Sequence, residues 1–199
     1  MTSGEGEAVG ALEDFVADEV ASVPKSGYRT EREEADRVLF SYDAAGKTKV
    51  AIIVADGVTA DSGETGWGME TFAECDPAEL PDSVTDALGI QVWVDQTGER
   101  VPTTILQSTM GPVHCEWDSA TFLEFQGGTY IKDPEGVLPP QWFDTTFDAD
   151  VRLPDDAIDT GYSLDGQRLW VSPDQSTVYV VTGQRVEPWR APTKFVGCA

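Results

Sequence analysis

The chain has 199 residues, 36 acidic against 13 basic, for a formal charge of -23 at pH 7. A surface this negative repels phosphate backbones and anionic lipid, which argues against nucleic-acid binding and against a polybasic membrane anchor. Apolar residues make up 40% of the chain, enough at this length to bury about 70% of the unfolded surface around one core. A single globular domain over 9–199 is therefore expected, preceded by a flexible polar tail over 1–8.

In chain order, Leu12, Phe15, Val16, Val20 and Val23 lie on one stripe of the segment Val9 to Val23, which predicts an amphipathic helix ended by Pro24. A charged connector, Arg29 to Arg37, follows. Val38, Phe40 and Tyr42 then alternate before the turn at Asp43 to Gly46, and Val50 to Val54 reads as the returning strand of a hairpin. Gly66 to Glu74 makes a further strand. After it, Asp76 is placed to cap a short turn with Pro77 first and Glu79 completing a capping box. A second hairpin is expected from Ile90 to Val94 and Val101 to Gln107, and a third from Thr121 to Phe125 and Thr129 to Ile131 across Gly127 and Gly128. Pro-rich, aromatic loop sequence runs from Pro134 to Phe147. The C-terminal part, Gly161 to Trp189, reads as a meander with turns at Asp165-Gly166, Pro173 to Ser176 and Gly183-Gln184. The fold class is α+β, a mostly antiparallel sheet with one N-terminal helix and a C-terminal β-meander. Three hairpins share a loose form, an apolar-aromatic strand leading to an aspartate turn, at Asp43, Asp95 and Asp174, without the fixed period of a repeat protein.

The chemical motifs are sparse. Ala45-Gly46-Lys47-Thr48 ends like a phosphate-binding loop, but Ser41 stands where that loop has glycine, and a strand follows instead of a helix. His114 is the chain's one histidine. With Cys115 it is the sole candidate for thiol catalysis, and neighbouring side chains in an extended segment point apart. Asp144, Asp148, Asp150, Asp155, Asp156 and Asp159 offer oxygen ligands to a divalent cation, but without the spacing of a calcium loop, and a solvated acidic face accounts for them better. Glu116-Trp117-Asp118 and Trp142-Phe143-Asp144 set carboxylates beside aromatic rings, an arrangement that also suits ordinary packing. No catalytic residue, metal ligand or cofactor is assigned.

Cys75, Cys115 and Cys198 have no paired spacing for zinc or for a redox motif. They are the disulfide candidates, and a Cys75–Cys115 link would be worth about 3 to 4 kcal/mol in the chain-entropy view. Glu5 and Glu7 stand where a leader peptide is basic, and the longest apolar run, Val50 to Ala55, is too short to span a bilayer, so no transmembrane segment is expected. Phe72 to Glu79, Gly111 to Trp117 with Ala120 to Leu123, Tyr130 to Pro134, Leu169 to Ser172 and the terminal Gly197-Cys198-Ala199 together resemble an uncharacterised family of secreted or lipoprotein-type domains from high-GC actinobacteria. That resemblance implies an extracytoplasmic location and no particular activity. The resulting expectation is a non-enzymatic acidic domain that binds an unidentified protein or envelope component. The alternatives are a cytoplasmic, salt-adapted or cation-binding protein and, third, a thiol enzyme using Cys115 and His114.

Overall fold

A computed structural model describes residues 3–17, 23–60, 62–194 and 197. The chain divides into two compact units, Met1–Val84 and Thr85–Ala199, each with its own core, where the sequence was read as one domain.

In the first unit a helix, α1 (Ser3–Ala17), forms as its apolar period requires, but it begins within the stretch read as a tail. Ala8, Leu12 and Val16 recur every four residues and are buried, so one stripe of α1 faces the sheet. Val20 lies outside the described residues. The supposed charged connector is a strand, β1 (Arg29–Glu33), exposed at every position. It pairs antiparallel with β2 (Arg37–Ala44), and its alternating charges suit an unprotected sheet edge. A two-residue turn leads into β3 (Lys47–Thr59). Ala45 and Gly46 both have positive φ there, 51° and 74°, the conformation that matches strand twist in a tight hairpin. β4 (Thr65–Glu74) completes the order β1-β2-β3-β4. Val38, Phe40, Val50, Ile52 and Val54 meet the stripe of α1 to form the core. Asp76 caps the following turn as expected, accepting from the Ala78 N–H at 2.8 Å. The Glu79 carboxylate does not close a capping box; it accepts from the Lys49 ammonium.

The second unit opens within a short helix, α2 (Asp82–Ala87). Its strands are β5 (Ile90–Val92), β6 (Leu106–Met110), β7 (Thr121–Phe125), β8 (Gly128–Lys132), β9 (Ile158–Leu164), β10 (Gln167–Val171), β11 (Thr177–Thr182) and β12 (Arg185–Arg190). The expected strand from Val101 begins only at Leu106, because the Pro102 carbonyl accepts from the amides of Ile105 and Leu106 and turns the chain there. The C-terminal meander forms as read, and the sheet order is β5-β6-β7-β8-β12-β11-β10-β9.

That order closes on itself. Just past β5, Val94 exchanges both backbone hydrogen bonds with Ser163 of β9, each at 2.9 Å. Two four-stranded meanders thus join into a ring, at Val94–Ser163 on one side and at β8/β12 on the other. The inward faces supply one core, with Trp93, Leu106, Leu123 and Tyr130 from the first meander against Leu169, Val178, Val180 and Trp189 from the second. The Trp93 indole N–H donates to Ser108 Oγ at 3.1 Å, so this fully buried ring carries no orphaned donor.

The three aspartate turns have a shared physical basis. Asp43 accepts from Arg29 and from the Thr48 hydroxyl, Asp95 from the hydroxyl and amide of Thr97 and the amide of Glu99, and Asp174 from Ser172 and from the amide and hydroxyl of Ser176. These bonds hold all three carboxyls below the usual aspartate range. A carboxyl whose folded pKa is depressed contributes stability above its unfolded pKa of about 3.9 and loses it as pH falls through the folded value. Urea unfolding of wild type against Asp43→Asn/Asp95→Asn/Asp174→Asn is therefore expected to show a wild-type advantage at pH 6 that shrinks between pH 4 and pH 2. An advantage independent of pH would refute the assignment.

Candidate ligand-binding cleft

The cleft in the second unit begins with strand register. Side chains alternate across a sheet. In β8, Tyr130 points into the ring and Ile131 out of it; in β12, Trp189 points in while Pro188 and Arg190 point out. Ile131 and Arg190 are opposite one another and form the one residue pair between β8 and β12. Proline explains why the ladder stops there. The Ala191 N–H bonds Ser176 on the β11 side, and alternation of the antiparallel pattern then sends the backbone groups of Arg190, Pro188 and Val186 toward β8. Pro188 has no N–H to give.

Over this open seam the 133–147 segment folds back. Both oxygens of Asp133 accept backbone hydrogen bonds, from Val137 at 2.9 Å and from Leu138 at 3.0 Å. Further on, the Trp142 carbonyl accepts from the amide of Thr193 at 2.8 Å. Leu138 packs with Ala120 and Ile131 in a second apolar cluster, flanked by Trp117, Phe122, Val137, Trp142 and Phe143. Trp117 meets Trp142 edge to face at 5.6 Å. Between the segment and the strands is a cleft of about 500 Å³, within the size range of small-molecule sites. Its apolar lining is Ile131, Leu138, Phe143 and Phe147 with Pro134, Pro140 and Pro188; its polar lining is Arg190, Asp133, Glu135, Asp144, Thr145 and Thr146.

The residues singled out in the sequence scatter. His114 and Cys115 share one 3₁₀ turn, Val113–Cys115, where successive side chains diverge by about 120°. His114 is exposed, and Cys115 is disulfide-bonded, which removes the thiolate that a thiol mechanism needs. Gly111 is obligatory at the base of this loop, since a Cβ there would collide with the Trp117 carbonyl. Cys75 is a free, half-buried thiol in the first unit, its amide donating to the Lys49 carbonyl at 2.8 Å. Cys198 lies outside the described residues. The aspartates do not converge: Asp148 accepts from the Asp150 amide, Asp155 pairs with Arg152 and Asp159 with Arg168. No three histidine, cysteine or acidic side chains among the described residues are grouped to hold a metal. Of the carboxylate-aromatic pairs, Phe143 and Asp144 do reach the cleft, whereas Glu116 and Asp118 do not line it. Lys47 is the first residue of β3, directly after the hairpin turn, as its strand context implied.

Among the described residues of the first unit, one buried side-chain polar atom is left unpaired. The Tyr28 hydroxyl has no hydrogen-bond partner among the described residues, and burial followed by the nearby charge of Glu74 raises its pKa well above the ordinary value. Burial likewise raises Glu74. The Tyr28 ring packs at 5.9 Å from Tyr42.

Sequence reasoning missed Asp133, Phe147, Pro188 and Arg190 as cleft residues. The readable signal was Pro188 inside an otherwise regular strand, which marks a break in pairing on one side. Compared with family models, curated proteins and solved structures, the chain matches none. No helix among the described residues is long and apolar enough to cross a membrane.

Because Asp133 alone pins the start of the covering segment, Asp133→Ala is expected to cost about 1 to 2 kcal/mol. Amide hydrogen exchange at Val137 and Leu138 should accelerate while the Tyr130 and Trp189 amides keep their protection. Unchanged exchange at Val137 would show that the segment is held by its apolar contacts alone.

Proposed function

We propose that the chain is a ligand-binding module, not an enzyme, acting outside the cytoplasm at the cell envelope, and that the cleft beside β8 and β12 is its binding site. The observation that carries this reading is a concave, largely apolar surface whose covering segment is held by side-chain hydrogen bonds instead of by the ligand. Preorganisation of that kind lowers the ordering cost of binding. The acidic surface disfavours nucleic acid and anionic lipid as partners, which leaves a protein, an envelope component or a small molecule that fits the cleft. The disulfide at Cys115 supports an oxidising compartment, and the resemblance to secreted or lipoprotein-type domains points the same way. The cation-binding alternative finds no grouped ligands among the described residues.

Two measurements test the proposal. Titration of the full chain with benzyl alcohol, followed by NMR, is expected to shift resonances of Ile131, Leu138 and Phe147, and Leu138→Ala should weaken the shifts. Shifts spread evenly over the protein would count against the cleft. Alkylation of the unreduced protein followed by mass spectrometry is expected to label Cys75 and to leave Cys115 protected; labelling of all three cysteines would remove the support for an oxidising compartment.

A further inference from the structure

The charges inside the cleft specify more than an apolar occupant. Its lining holds one cation, Arg190, and among the described residues Arg190 makes no ion pair, in a chain with 36 acidic side chains available. The lining also holds three carboxylates. Asp133 has both oxygens committed to the amides of Val137 and Leu138. Glu135 and Asp144 are in no ion pair among the described residues and remain exposed at the cleft. The site therefore offers one guanidinium and two uncommitted carboxylates around an apolar floor of Ile131, Leu138 and Phe147.

Each simple ligand class meets one of these groups badly. An apolar anion would suit Arg190 but be repelled by Glu135, Asp144 and the net charge. An apolar cation would suit the carboxylates and leave Arg190 facing a like charge. An uncharged ligand would strip water from Arg190 without replacing it, a costly state for a charged group. A ligand carrying both charges satisfies all of them.

We infer that the cleft binds a short apolar zwitterion, a free amino acid with an apolar side chain or an apolar dipeptide, through a carboxylate on Arg190 and an ammonium facing Glu135 and Asp144. This rests on the cleft being a binding site. A planar guanidinium accepts a carboxylate through two parallel hydrogen bonds, the apolar side chain lies against Ile131, Leu138 and Phe147, and the ammonium meets the two rim carboxylates. The amino acid and the dipeptide differ in the spacing of their charges, which the experiment separates.

Isothermal titration of the full chain is run with L-phenylalanine, L-leucyl-L-phenylalanine, N-acetyl-phenylalanine, phenylalanine amide and benzyl alcohol. One of the two zwitterions is expected to bind about ten-fold or more tightly than both end-blocked analogues, since each blocked end forfeits a charge-assisted bond. Arg190→Gln should erase the preference over the amide, and Arg190→Lys should retain part of it, which separates lost charge from lost folding. Asp144→Asn with Glu135→Gln should erase the preference over the acetylated compound. If phenylalanine amide or the acetylated compound binds as tightly as the better zwitterion, the inference is overturned. Binding of benzyl alcohol with no zwitterion preference overturns it and leaves the cleft reading intact. Failure of every compound to bind overturns both.

Discussion

The missing amide hydrogen of Pro188 is the constraint on which the second unit turns. A complete ladder between β8 and β12 would seal the ring and leave a flat outer surface. With one residue pair, Ile131 opposite Arg190, the two meanders are joined where the strands meet and separated where proline stands. An opening in a sheet exposes backbone groups and apolar side chains that must be covered or solvated. The 133–147 segment supplies the cover, and because it bridges a gap instead of pairing as a strand, it leaves a hollow beneath it. Part of the same opening is used farther along, where the Val186 carbonyl accepts from Val151 and the Arg185 guanidinium donates to the Ala149 carbonyl. The cleft is thus a consequence of one residue that cannot donate.

The acidic excess has to be folded around, and the structure spends much of it locally. Asp43, Asp95 and Asp174 organise hairpin turns, Asp76 caps a 3₁₀ turn, and Asp133 ties down the cover of the cleft. A carboxylate that accepts several nearby hydrogen bonds replaces much of its lost hydration without needing a counter-charge. A different solution appears at Glu187, almost fully buried, where Lys132 and Arg185 both approach at 2.9 Å. Burial of a charge demands such pairing. Asp144 and Glu135 have neither arrangement, and of the second unit's acids without one they are the two that line the cleft.

Much of the fold was legible because its signals are local. Alternation in Val38-Phe40-Tyr42, the Asp165-Gly166 turn and the regular spacing of the last four strands each depend on neighbours in sequence. The misreadings have physical causes as well. Arg29 to Glu33 carries no apolar face, so periodicity could not reveal an edge strand whose both sides meet solvent. The Val101 segment is β-rich in composition, yet the Pro102 carbonyl captures two later amides and delays the strand to Leu106. α1 begins early because Ala8 lies on the same stripe as Leu12 and Val16, a small residue easily passed over as part of a polar tail. The cleft was least legible: Phe143 and Asp144 drew notice as a carboxylate beside a ring, but Arg190, Pro188 and Asp133 belong to separate elements and meet only through strand pairing.

Register couples the interior of the ring to the surface of the cleft. Tyr130 and Ile131 are adjacent, as are Trp189 and Arg190, and in each pair one member builds the core while the other lines the site. A slip of one residue in β12 would carry Arg190 inward and Trp189 out. The first move would bury an unpaired guanidinium, and the second would strip the core of its largest ring from that meander. Both cost far more than a single backbone pair between β8 and β12 can repay. The position of the cleft cation is therefore fixed by core packing and not by the thin seam beside it. A site can form over so weak a junction because the strength that holds its geometry lies on the other face of the same strands.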